Sequence, residues 1–149
     1  MGSSPTAAGF TLALTLPLPY TRAVAAVREA LADQGFGILT EIDLASTMKE
    51  KLGEDIAPQV ILGACRPPLA YRALQADPSV AAMLPCNVVV RSLDATTSKV
   101  EAFDPDAMLS FSTGQAITEV AADAKQRLEE TLTALRTAHP TAEEESRRA

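Results

Sequence analysis

The sequence predicts an α+β domain: an about five-stranded, mostly antiparallel or mixed sheet, helices packed mainly on one face, and a long C-terminal helix. Three observations predict it. The hydrophobic period switches repeatedly between two and about 3.6, the signatures of strand and helix. The elements run strand, helix, strand, short helix, strand, helix, strand, strand, long helix, with no linker between two cores. The last of them carries an unbroken apolar stripe, Ile117, Val120, Ala121, Ala124, Leu128, Leu132 and Leu135, about five turns of amphipathic helix.

Residues 1–9, MGSSPTAAG, are small and polar and read as disordered. Leu12, Leu14 and Leu16 then alternate with Thr11, Ala13 and Thr15 as in a half-buried strand, which Pro17 and Pro19 stop. From Thr21 the period becomes helical, with Val24, Val27 and Leu31 on one face and Gly35 as a left-handed cap. Phe36, Ile38 and Ile42 share one side of a second strand. Asp43 caps a short helix striped by Leu44, Met48 and Leu52 and closed by Gly53. The continuous apolar run PQVILGA, residues 58–64, fits a strand buried on both faces.

Pro67 and Pro68 push the preceding residue out of helical geometry and suit a first helical turn, so Cys65 falls just outside a helix. Leu69, Ala73 and Leu74 face inward on that helix, and Asp77-Pro78 begins a turn that Pro85 ends. CNVVVRSL, residues 86–93, and SKVEAF, residues 98–103, form a hairpin. Asp104-Pro105 caps a small helix, and the long helix spans about 114–138. The single α+β domain thus covers 10–138. The tail 139–149, charged and poor in apolar residues, reads as disordered.

At 149 residues the chain buries about two thirds of its unfolded surface and needs no metal or disulfide staple. Its net charge of −6 and pI near 4.8 argue against nucleic acid, which demands clustered Lys and Arg. Two phenolic residues and no Trp also disfavour base stacking. No apolar run approaches the roughly 20 residues of a spanning helix, so no membrane partner is expected. FTLALTLPL at 10–18 alternates like a strand and lacks a basic segment before it, unlike a signal peptide. Two cysteines, Cys65 and Cys86, fit a reducing compartment, and the expected location is cytoplasmic.

The segment LGACRPPLAYRALQADPSVAAMLPCNVVV, 62–90, preceded by ALADQGFGILTEID at 30–43, resembles the domain-of-unknown-function family 302 over roughly 10–110. The matching positions are Gly63, Cys65, Pro67, Pro68, Leu84, Pro85, Cys86 and Asn87. The resemblance implies a compact α+β domain, a homodimer, and no settled activity. The family pattern commonly places Asn or His between the first Cys and the prolines, where this chain has Arg66.

The candidate site gathers around Cys65. A thiol beside a cation and a helix start has its thiolate favoured; the competing role is packing at a strand end. Cys86 alternates with Val88 and Val90, which suits packing, and the two thiols cooperate only if they meet. Antiparallel neighbouring strands permit a soft metal site of Cys65 and Cys86 for an ion such as monovalent copper; parallel strands exclude it. Zinc is short of ligands, with one His, His139, in the tail. Binding candidates are therefore Cys65, Arg66, Cys86 and Asn87, with Tyr71 and Arg91 as possible walls of an anion pocket. His139 offers no convincing catalytic base, the GFG of Gly35 to Gly37 lacks the helix and Lys of a phosphate loop, and Asp104 with Asp106 suits capping. The expected function is a thiol-centred small-molecule or soft-metal-ion binding module. The alternatives are a non-catalytic structural or regulatory homodimer working through its interface and, last, a Cys-dependent redox enzyme.

Overall fold

A computed structural model describes residues 9–148. The elements are β1 (Thr11–Leu16), α1 (Tyr20–Asp33), β2 (Gly37–Asp43), α2 (Leu44–Leu52), β3 (Gln59–Cys65), α3 (Pro67–Ala76), β4 (Cys86–Ser92), β5 (Ser98–Phe103), α4 (Gln115–Ala138) and α5 (Ala142–Arg148), with 3₁₀ turns at Pro78–Met83 and Pro105–Ser110. The strands form one open sheet in the order β1-β5-β4-β3-β2, every neighbouring pair antiparallel. The fold is α+β, and the sheet is antiparallel throughout.

Alternation decides which side chains meet the helices. Leu12, Leu14 and Leu16, Val60, Leu62 and Ala64, Val88 and Val90, Val100 and Ala102 all point into one core with Val27 and Leu31 of α1 and Leu128, Leu132 and Leu135 of α4. Each fully buried Leu or Val there contributes about 1.5–3 kcal/mol of transfer free energy. A second cluster joins Leu69 and Ala73 of α3, Val80, Met108, and Ile117, Val120 and Ala124 from the first half of α4. α4 therefore spans both cores, and its whole expected stripe is buried. Lys125 fastens it to the second 3₁₀ turn through Asp104 at 3.2 Å and Asp106 at 2.7 Å.

The local signals account for most boundaries. Asp43 accepts from the Ser46 N–H at 2.9 Å, and α2 closes on Gly53 in the left-handed region. α1 ends in a Schellman motif: the Gly35 N–H reaches the Ala32 carbonyl at 2.9 Å and the Phe36 N–H the Leu31 carbonyl at 3.0 Å.

Three expectations are corrected. Ile42 does not share a side with Phe36 and Ile38, because a register shift between Ile38 and Thr40 flips everything beyond it; Ile42 is exposed while Ile38 packs on the core. β3 is not sealed on both faces: Gln59 and Ile61 are half-exposed, since the helical layer covers only the side of Val60, Leu62 and Ala64. The charged tail is not irregular, for Ala142–Arg148 is helical. Thr141 and Glu144 form a capping box, the Glu144 N–H donating to Thr141 Oγ1 at 3.1 Å and the Thr141 N–H to Glu144 Oε1 at 2.9 Å. Of the expected disordered N-terminal segment, residues 1–8 lie outside the described residues.

Candidate functional site

β3 and β4 run antiparallel, with Ala64 opposite Cys86 and Gly63 opposite Asn87. The two cysteines are thus one step out of register, Cys65 ending β3 and Cys86 opening β4. On β2, Ile38, opposite Ala64, packs on the core, and Gly37 lies opposite Cys65. The antiparallel pairing brings both cysteines to the lining of one pocket, near enough for a charge on Cys65 to act on Cys86. Among the described residues no group of three or more His, Cys, Asp or Glu could hold a metal ion. Gly63 is required between them: a Cβ there would run into the Thr40 side chain and lie 2.8 Å from the Pro85 ring.

The helix start beside Cys65 has nothing to give a thiolate. The first two residues of α3 are Pro67 and Pro68, which have no N–H. The next two donors, Leu69 and Ala70, are spent on the Arg66 carbonyl at 3.0 and 3.1 Å. Burial pushes the Cys65 thiol up. Burial and then a nearby Cys65 charge push Cys86 further, to about 11. Both shifts favour the neutral thiol.

Cys86 and Cys65 both border an apolar pocket at the seam of the two cores, walled by Phe36, Leu69, Met108 and Val120, with Arg66 as its cation. It leaves about 30 Å³ of free space, room for one water-sized group. Arg66 is the residue before α3 and caps it through no side-chain bond. Its stem crosses Gly35, at φ 85°, where a Cβ would stand 3.0 Å from Nε. The glycine that ends α1 is therefore also the berth of the guanidinium. Nε is buried and has no hydrogen-bond partner. Arg28, Arg72, Arg91, Arg127, Arg136 and Arg147 all face carboxylates; among the described residues, Arg66 is the one partly buried arginine that does not.

The remaining candidates lie elsewhere. Asn87 and Arg91 are on the open side of β4, lining a shallow groove with Gln59, Val89, Glu101 and Phe103. Arg91 is engaged there, 2.5 Å from Glu101, to which Thr11 Oγ1 also donates at 2.9 Å. Burial opposes the Glu101 charge, but these bonds and the charges of Arg91 and Lys99 outweigh it and hold the carboxyl low. Tyr71 projects to solvent from α3, its hydroxyl accepting from Gln75. Sequence reasoning missed Gly35 as a site residue, because its capping role explained it completely, and missed Phe36, Leu69 and Met108, whose spacing reads as ordinary core.

The family model described as "Domain of unknown function DUF302" matches residues 12–135. A crystal structure of an uncharacterized conserved DUF302 protein from Bacillus stearothermophilus superposes with a TM-score of 0.77 at 30% identity, covering 85% of this chain and 98% of that one. No curated protein matches the sequence.

Proposed function

The chain belongs to the DUF302 family, and on that premise we propose that it is a thiol-centred binding module for a small molecule, housed in the pocket of Cys86 and Arg66. One observation carries this reading: both thiols, Cys65 and Cys86, and an arginine that faces no carboxylate, Arg66, border one otherwise apolar pocket. Apolar walls with a few polar or polarisable groups converging on them are what small-molecule sites are made of. The neutral Cys86 thiol is a soft, polarisable wall; with its proton held to about pH 11, it is a slow nucleophile near neutral pH.

Differential alkylation tests the reading. With iodoacetamide as reagent and a broad set of small polar-headed molecules as competitors, some compound should slow labelling of Cys86 at least tenfold and slow Cys65, which borders the same pocket, as well. If no compound protects Cys86, the module reading is wrong. Tight monovalent copper binding, measured against a chromogenic chelator and lost in both Cys65→Ser and Cys86→Ser, would replace it with the soft-metal reading.

A second reading rests on a separate feature. Of four phenylalanines, three are exposed, Phe10 at 56%, Phe103 at 36% and Phe111 at 78%, and they border connected grooves on the open side of the sheet. That side suits a homodimer in which two sheets stack face to face. Sedimentation should then give a dimer that Phe103→Asp converts to monomer; a monomeric wild type rejects it.

A further inference from the structure

We propose that Cys65 and Cys86 form a reversible intramolecular disulfide, made and broken by exchange with a small-molecule disulfide such as oxidised glutathione. The bond needs no ligand in the pocket, so it stands or falls apart from the module reading. The first ground is register. Cys86 lies opposite Ala64, one residue from Cys65. With strands about 4.8 Å apart and a rise of about 3.4 Å per residue, the two α-carbons are about 6 Å apart, inside the roughly 4.4–6.8 Å that a disulfide spans.

The second ground is freedom to turn. A regular ladder sends diagonal neighbours to opposite faces, but Cys65 is the last residue of β3 and Cys86 the first of β4. Neither is held by a continuing strand on both sides, and both border one pocket. Its free space of about 30 Å³ is room for a sulfur to change rotamer. A charge on Cys65 also reaches Cys86. The chemistry is two exchanges. The Cys65 thiolate, the less deeply buried of the two, attacks one sulfur of the small disulfide and expels one small thiolate. The Cys86 thiolate then attacks Cys65 Sγ and expels the second. Two cysteine sulfurs are oxidised, the small disulfide is reduced to two thiols, and the two cysteine protons end on them. Burial holds those protons, so exchange is slow near neutral pH and quickens with alkali. The bond encloses residues 66–85, which contain α3 and the first 3₁₀ turn; oxidation thereby ties that lobe to the sheet and takes both thiols out of the pocket.

Equilibration of the native full chain at pH 8 with oxidised glutathione in excess over reduced, followed by acid quenching and mass analysis, tests this. The product should be lighter by two hydrogens and monomeric in mass, and trypsin, which cuts after Arg72, should leave the Cys65 and Cys86 peptides joined. In denaturant the same buffer should give a ratio of disulfide to reduced chain at least tenfold lower, because the fold no longer holds the thiols together. Equal ratios in the native and denatured chain overturn the proposal. So does a native chain that stays fully reduced, stops at glutathione adducts, or links only to a second chain; none of these outcomes relies on a variant. Cys86→Ser should stop at a glutathione adduct on Cys65, and Cys65→Ser should form its adduct at least tenfold more slowly. The reverse order of rates overturns Cys65 as the point of entry.

Discussion

The two faces of β3 and β4 differ more than their sequences suggest. Leu62, Ala64, Val88 and Val90 are sealed under helices, while Ile61, Asn87, Val89 and Arg91, each one residue away, remain half-exposed or exposed. Polar groups on the open face are met locally or by solvent: Arg91 finds Glu101, and Glu101 finds Thr11. On the covered face, where solvent cannot repair an omission, Arg66 Nε is left unmet. A polar group unsatisfied on an open surface means little; the same group under a helical layer is a functional signal.

The largest expected effect sets the two faces directly against each other. Leu62→Ala removes a wholly buried side chain and should cost about 2–5 kcal/mol in denaturant unfolding. Its neighbour Ile61→Ala should cost below about 1.5 kcal/mol. Equal losses would mean that the open face is covered.

Alkaline pH sharpens the contrast next. The folded-state pKa of Cys86 is raised above its unfolded value of about 8.5–9, so its contribution is fully present below that range and lost as pH rises toward about 11. Wild type should lose about 2–3 kcal/mol over that window through this group, and Cys86→Ala should flatten the loss. An unchanged slope in the variant contradicts the buried thiol.

Labelling gives a smaller, kinetic difference. At pH 8 iodoacetamide should modify Cys65, whose thiol is raised by partial burial, at least tenfold faster than Cys86, held to about pH 11; equal rates contradict the deeper burial of Cys86. Smallest of all, Arg91→Gln should change stability by no more than about 1 kcal/mol, as for other solvent-screened ion pairs.

Much of the fold was legible because strict periods and capping residues act locally. The stripe from Ile117 to Leu135, the Asp43 cap, the glycine ends of two helices and the β4–β5 hairpin all follow from a few neighbouring residues. The shift at Leu39 was not legible, since a bulge leaves no mark in a short strand of mixed polarity. The α5 helix was signalled by Thr141 and Glu144, which net composition conceals. For the site, Cys65, Arg66 and Cys86 were legible as candidates and border one pocket, but their separation from Asn87 and Arg91 depends on register and pleat together. Tyr71 shows the same limit: its place on the outer side of α3 is fixed by Leu69 and Ala73 turning inward.

The most direct measurement is a methyl NMR titration of the wild-type chain with whichever small molecule best protects Cys86 from iodoacetamide. The account predicts saturable shifts at Leu69, Met108 and Val120, around the pocket of Arg66 and Cys86, with Ile61 and Val89 silent. Shifts confined to Ile61 and Val89 would place binding on the open face and contradict it.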